Sequence, residues 1–84
     1  MNISVAIVGK REEEIMWHKI ADVLPRENQQ VLVAIRLKDR PRPRVELLWY
    51  RNGRWLDLAN EEAATDDNVL GWMPLPPFPE EWIR

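Results

Sequence analysis

Five cations alternate along one stretch of this chain, Arg36, Lys38, Arg40, Arg42 and Arg44, interrupted only by Asp39 and by Pro41 and Pro43. Arg51 and Arg54 follow a few residues later, beside Tyr50 and Trp55. Guanidinium forks suit phosphate or carboxylate groups bidentately, and an adjacent aromatic ring can stack on a base. These nine residues form the candidate binding patch, provided that the two stretches point the same way. The competing reading is a solvated loop whose arginines keep a sheet edge from aggregating. The net charge of −2 favours that second reading.

Residues for catalysis are scarce. One His, one Ser, one Thr and no Cys suggest no nucleophile, base and orienting group in sequence. His18 beside Trp17 reads as a structural histidine. Glu61, Glu62, Asp66 and Asp67 could make only an all-oxygen metal site, and their spacing matches no calcium loop. Glu46 and Asp57 are expected on one hairpin face, where two carboxylates are ordinarily surface charges. No catalytic residue, metal or cofactor is therefore expected, and a small hydrolase using Glu46 and Asp57 is the remote alternative.

The elements that must position these residues are short. Eighty-four residues, 45% hydrophobic and 31% charged, make one globular domain, residues 1–84, with five tryptophans to supply core area. No cysteine means no disulfide, so stability rests on packing, with self-association as a further source. The apolar run from Ile3 to Gly9 is too short to span a bilayer and lacks a leader's basic start, so a soluble intracellular protein is expected.

Residues 1–16 read as an N-terminal extension with a strand over Ile3 to Val8, ended by a turn at Gly9 and Lys10. From Lys10 to Leu24 helix and strand compete. Glu12, Glu13 and Glu14 suit a helix N-terminal turn, whereas Trp17 to Ile20 suits a strand and Pro25 disfavours helix at Leu24. Val31, Val33, Ile35 and Leu37 alternate with Leu32, Ala34, Arg36 and Lys38 as a strand. The prolines then force a loop, and Val45 to Tyr50 resumes strand character.

Asn52-Gly53 is the favoured two-residue hairpin turn, because both central positions need positive φ. It sets Tyr50 opposite Trp55, Trp49 opposite Leu56 and Leu47 opposite Leu58. Val45, Leu47, Trp49, Leu56 and Leu58 then share an apolar face, expected to build the core. Glu46, Leu48, Tyr50, Trp55 and Asp57 share a mixed face, covering a second cluster or partly exposed.

Asn60 is placed to cap a helical turn over Glu61 to Ala64, and Thr65 to Asn68 reads as a turn before a last strand, Val69 to Trp72. Four prolines between Pro74 and Pro79 exclude helix and central strand. With Met73, Leu75 and Phe78 they read as a strap across the apolar sheet face; the spacing of Pro74 and Pro77 also fits a polyproline ligand, without a neighbouring basic residue. Pro79 to Trp82 opens a helical turn in the tail, 80–84. The expected structural core is Trp17, Trp49, Trp72, Met73 and Leu75.

In order, Trp17 with Asp22-Val23-Leu24-Pro25, Gln30 to Val33, Asn52 to Trp55 and Gly71-Trp72-Met73-Pro74-Leu75-Pro76 resemble a phage and prophage family, the domain of unknown function numbered 551. The resemblance covers residues 17–79 and implies a compact β-rich module in the bacterial cytoplasm, without catalytic residues to carry over. The basic stretch from Arg36 to Arg44 is longer and richer in arginine than the family pattern.

The fold expected is mainly β, with α+β as the alternative: a small twisted antiparallel meander from Val31 to Trp72, partly closed like a barrel, with the strap and one or two helical turns. The function expected is a non-enzymatic accessory module binding a protein. Nucleic acid at Arg36 to Arg44 and a second copy of the chain are the alternative partners.

Overall fold

The computed structural model describes residues 5–8 and 11–82, with side chains from residue 15 onward. The strand start at Ile3 and Ser4, the turn at Gly9 and Lys10, and the tail at Ile83 and Arg84 lie outside the described residues.

The protein is mainly β. Strands β1 (Val5–Val8) and β2 (Arg11–Glu14) form a two-stranded antiparallel sheet. The acidic triplet is thus strand rather than a helix start. Five further strands make one antiparallel sheet: β3 (Gln29–Ile35), β4 (Arg44–Arg51), β5 (Arg54–Leu56), β6 (Glu62–Ala64) and β7 (Val69–Pro74). A 3₁₀ turn, Glu80–Trp82, follows the prolines.

Local chemistry accounts for the boundaries. The β4–β5 turn has positive φ at Asn52 and Gly53, 51° and 73°, as its sequence requires. β3 stops at Ile35 instead of running to Lys38, because the Arg36 N–H donates to the Asn68 carbonyl at 2.7 Å and leaves the ladder. The expected helical turn after Asn60 is instead β6. Asn60 takes a left-handed φ of 63°, and Asp57 Oδ1 accepts from the N–H groups of Ala59 and Glu61 at 2.9 and 3.0 Å. That closed turn delivers Glu62 to Ala64 antiparallel to β5, so the backbone pairs with a strand rather than with itself. From Trp17 to Ile20 strand character prevails at one point: His18 exchanges two backbone hydrogen bonds with Trp72, at 2.7 and 2.9 Å.

The strand order is β6-β5-β4-β3-β7. β3 to β6 form a meander, but β7 returns to the far side of β3, so the chain is not a meander throughout. Only Thr65 to Asn68 join the edge strands β6 and β7, and they are wound into a turn by Asn68 and Val69 donating to the Thr65 carbonyl. On a flat sheet Ala64 and Val69 would stand about 19 Å apart across the strands, plus a large offset along them. Five residue steps reach about 17 Å at full extension. The sheet therefore curls. It is not closed into a barrel, since no pairing joins β6 to β7 among the described residues.

The curl encloses Val31, Val33, Ile35, Leu48, Trp55, Ala64, Val69 and Trp72. This reverses the expected hairpin faces. The register holds at Trp49–Leu56 and Tyr50–Trp55, but β5 ends at Leu56 and Leu47–Leu58 do not pair. The inward face carries Leu48, Tyr50 and Trp55; on the other, Val45 and Leu47 are exposed and Leu56 is buried, while Leu58 lies exposed in the turn beyond β5. Period-two alternation says which residues share a face, but not which face meets the rest of the chain. Val31 opposite Leu48 and Val33 opposite Trp72 decide it.

The core expectation changes accordingly. Trp72 is buried and its indole N–H donates to the Val23 carbonyl at 2.9 Å. Trp49, Met73 and Leu75 are half-buried, and Trp17 is exposed. The proline segment does not cross the sheet as a strap. Pro74 is buried as the last residue of β7, Leu75 is half-buried, and Pro76 to Pro79 are exposed, with Phe78 near Trp82 at 6.3 Å between ring centres.

Candidate docking surface

The nine residues of the candidate patch do not meet. β3 and β4 are antiparallel, so Arg36 to Arg44 lie at one end of the hairpin and Arg51 to Arg54 at the other. The eight residues of β4 separate them by about 23 Å. Arg51 is also committed within the fold: its Nε donates to Asn28 Oδ1 at 2.9 Å, another guanidinium N–H donates to Asn60 Oδ1 at 3.2 Å, and its guanidinium lies over the Trp49 ring at 4.8 Å. Arg54 is exposed.

Trp55 is no platform for a base. It is buried, and its indole N–H donates to Asp66 Oδ1 at 2.9 Å. Tyr50 is half-buried against it, with ring centres 4.7 Å apart. Burial, then the nearby charges of Asp66 and Glu27, raise the Tyr50 phenol above its ordinary pKa.

At the other end, Arg36, Lys38, Arg40, Arg42 and Arg44 are all exposed. Arg44 pairs with Glu46 at 3.4 Å. Among the described residues the other four have no ion-pair partner, so their charge is open to an external anion. The prolines hold this loop out of the ladder, and the Arg36–Asn68 bond pins its start.

Beside the loop lies an open apolar groove of about 310 Å³, lined by Trp17, Ala34, Pro43, Val45, Leu70 and Gly71. Sheet register builds its floor: Ala34 pairs with Val45 on one side and with Gly71 on the other, placing all three on the outer face. Between Ala34 and Ile35 the register with β7 shifts, and Leu70 is the additional residue. Gly71 is required by a close crossing, since a Cβ there would stand 2.8 Å from the His18 carbonyl oxygen. That crossing brings Trp17 to the groove, 47% exposed. Val45 is 50% exposed, and Leu47 and Leu70 are also open to solvent.

Trp17, Val45 and Leu70 are thus the residues that reasoning from sequence missed as a surface. For Val45 the signal was present in the two apolar faces of the β4 stretch, only one of which a single small core can bury.

The residues weighed for catalysis have structural surroundings. His18 is half-buried against Trp72, ring centres 4.9 Å apart. Asp57 holds the β5–β6 turn and lies outside β5, so it does not share a hairpin face with Glu46, which Arg44 engages. Among the described residues no helix is long and apolar enough to cross a membrane. No family model, no curated protein and no solved structure matches the chain, so the resemblance over residues 17–79 rests on its motifs alone.

Proposed function

We propose that this chain is a non-enzymatic phage or prophage accessory module of the bacterial cytoplasm that binds a protein partner. The observation that carries the reading is the apolar outer face, where Trp17, Val45, Leu47 and Leu70 stand exposed next to cations of the Arg36 to Arg42 stretch that have no ion-pair partner among the described residues. Contiguous exposed apolar surface rimmed by polar groups is what protein interfaces use. The motif resemblance supports the phage setting.

The test is capture from bacterial lysate with the wild-type chain and an Arg40, Arg42, Arg44 to Ala variant. A partner held by the first and lost by the second supports the reading; identical partner lists remove the basic loop from it.

A second reading, nucleic-acid binding through the same loop, is favoured by one observation: exposed Trp17 lines the same groove as Pro43 of the loop, where Trp55 cannot serve. It predicts affinity that falls steeply with salt as phosphates release counterions. Absence of a gel shift with a single-stranded 30-mer at low ionic strength ends it.

A further inference from the structure

We infer that the groove between Trp17, Pro43, Val45 and Leu70 docks an extended peptide whose bulky apolar side chains are flanked by carboxylates. The inference deepens the protein-binding reading and rests on it, by naming the surface and the partner's chemistry.

Three observations carry it. First, the volume of about 310 Å³ lies at the small end of ligand-sized sites, which begin at about 300 Å³. Apart from the Trp17 indole N–H, its lining side chains offer no hydrogen-bonding group. A base or sugar seated there would find a single donor for its polar edge, which costs it hydrogen bonds. Aliphatic or aromatic side chains fit without that cost.

Second, the cations stand at one end of the groove. Pro43 in its wall is flanked in sequence by Arg42 and Arg44, and Ala34 in its floor lies two residues from Arg36. Arg36 and Arg42 have no carboxylate partner among the described residues, so a carboxylate beside the seated side chains would gain charge-assisted hydrogen bonds. Third, the chain is acidic in total, so an acidic partner is repelled elsewhere and drawn to this end, which orients docking.

The test uses the full chain and a fluorescein-labelled ten-residue peptide of alternating leucine and glutamate, followed by fluorescence polarisation. Two control peptides replace every leucine by serine or every glutamate by lysine. The expected result is micromolar binding of the Leu/Glu peptide, at least tenfold weaker binding of both controls, and a tenfold loss with Val45→Glu or Leu70→Glu at unchanged melting temperature. Arg36→Glu with Arg42→Glu should also weaken binding tenfold and flatten its salt dependence.

Equal binding of the serine peptide, or an affinity indifferent to both Val45→Glu and Leu70→Glu, overturns the proposal. So does a dimer in light scattering that Val45→Glu dissociates, because a second copy would then cover the groove. If the Leu/Glu peptide fails to bind while lysate capture still yields a partner lost with the loop arginines, the peptide site falls and the protein-binding reading stands.

Discussion

Trp72 is the bridge partner of His18 and Trp17 its neighbour in sequence, yet they are 1% and 47% exposed. Truncating a buried tryptophan removes its packing and leaves a cavity, so Trp72→Ala should destabilise by about 3 to 5 kcal/mol in urea unfolding. Trp17→Ala should cost below about 1 kcal/mol, as an open surface site does. Equal losses would place Trp17 inside the core. Tyr50 supplies a pH signature. Its phenol pKa is raised in the folded state by burial first and by Asp66 and Glu27 second, so the folded chain holds that proton more tightly than the unfolded chain. The resulting stability is complete below the ordinary value of 10.0 and is lost as pH rises through the folded-state value. Tyr50→Phe should make the alkaline decline shallower in urea midpoints taken from pH 8 to 11.5; parallel profiles would remove Tyr50 as its source.

At the scale of elements, turns were legible and partners were not. Asn52-Gly53 specifies its hairpin locally, since positive φ at two neighbouring residues leaves few residue types able to serve. Asn60 carries equally local chemistry, but a left-handed turn and a helix cap draw on the same side-chain preferences, and pairing with β5 decides between them. The β7 crossing depends on tertiary approach alone. Gly71→Ala would push a methyl group against the His18 carbonyl at 2.8 Å, where backbone must shift. The expected cost is about 1 to 3 kcal/mol in chemical denaturation, with faster amide exchange at His18 and Trp72. Unchanged exchange at both would show that the crossing yields freely.

On the scale of the whole molecule, a sheet curled over one core leaves Val45 and Leu47 of its outer face to solvent. Leu58 is 77% exposed and Leu47 also lies open, so Leu47→Lys with Leu58→Lys should change stability by no more than about 1 kcal/mol while raising the solubility limit. A loss above about 2 kcal/mol would mean that the folded chain covers these two side chains itself. The split of the basic residues belongs to this scale too, because a single β-strand of eight residues carries Arg44 to one end and Arg51 to the other.

The sequence by itself determined that the chain is β-rich, where its hairpin turns, that Tyr50 pairs with Trp55 and Trp49 with Leu56 next to that turn, and that its prolines hold the basic loop out of any ladder. These follow from φ preferences, missing N–H donors and period-two alternation, which act over a few residues. Only the tertiary structure decided which hairpin face is the core, that Trp55 is buried while Trp17 stands open, and that the arginines of Arg36 to Arg44 adjoin an apolar groove rather than Arg51 and Arg54. Each of those outcomes depends on where β3 and β7 pack, over separations at which one face of a strand carries no mark of its own.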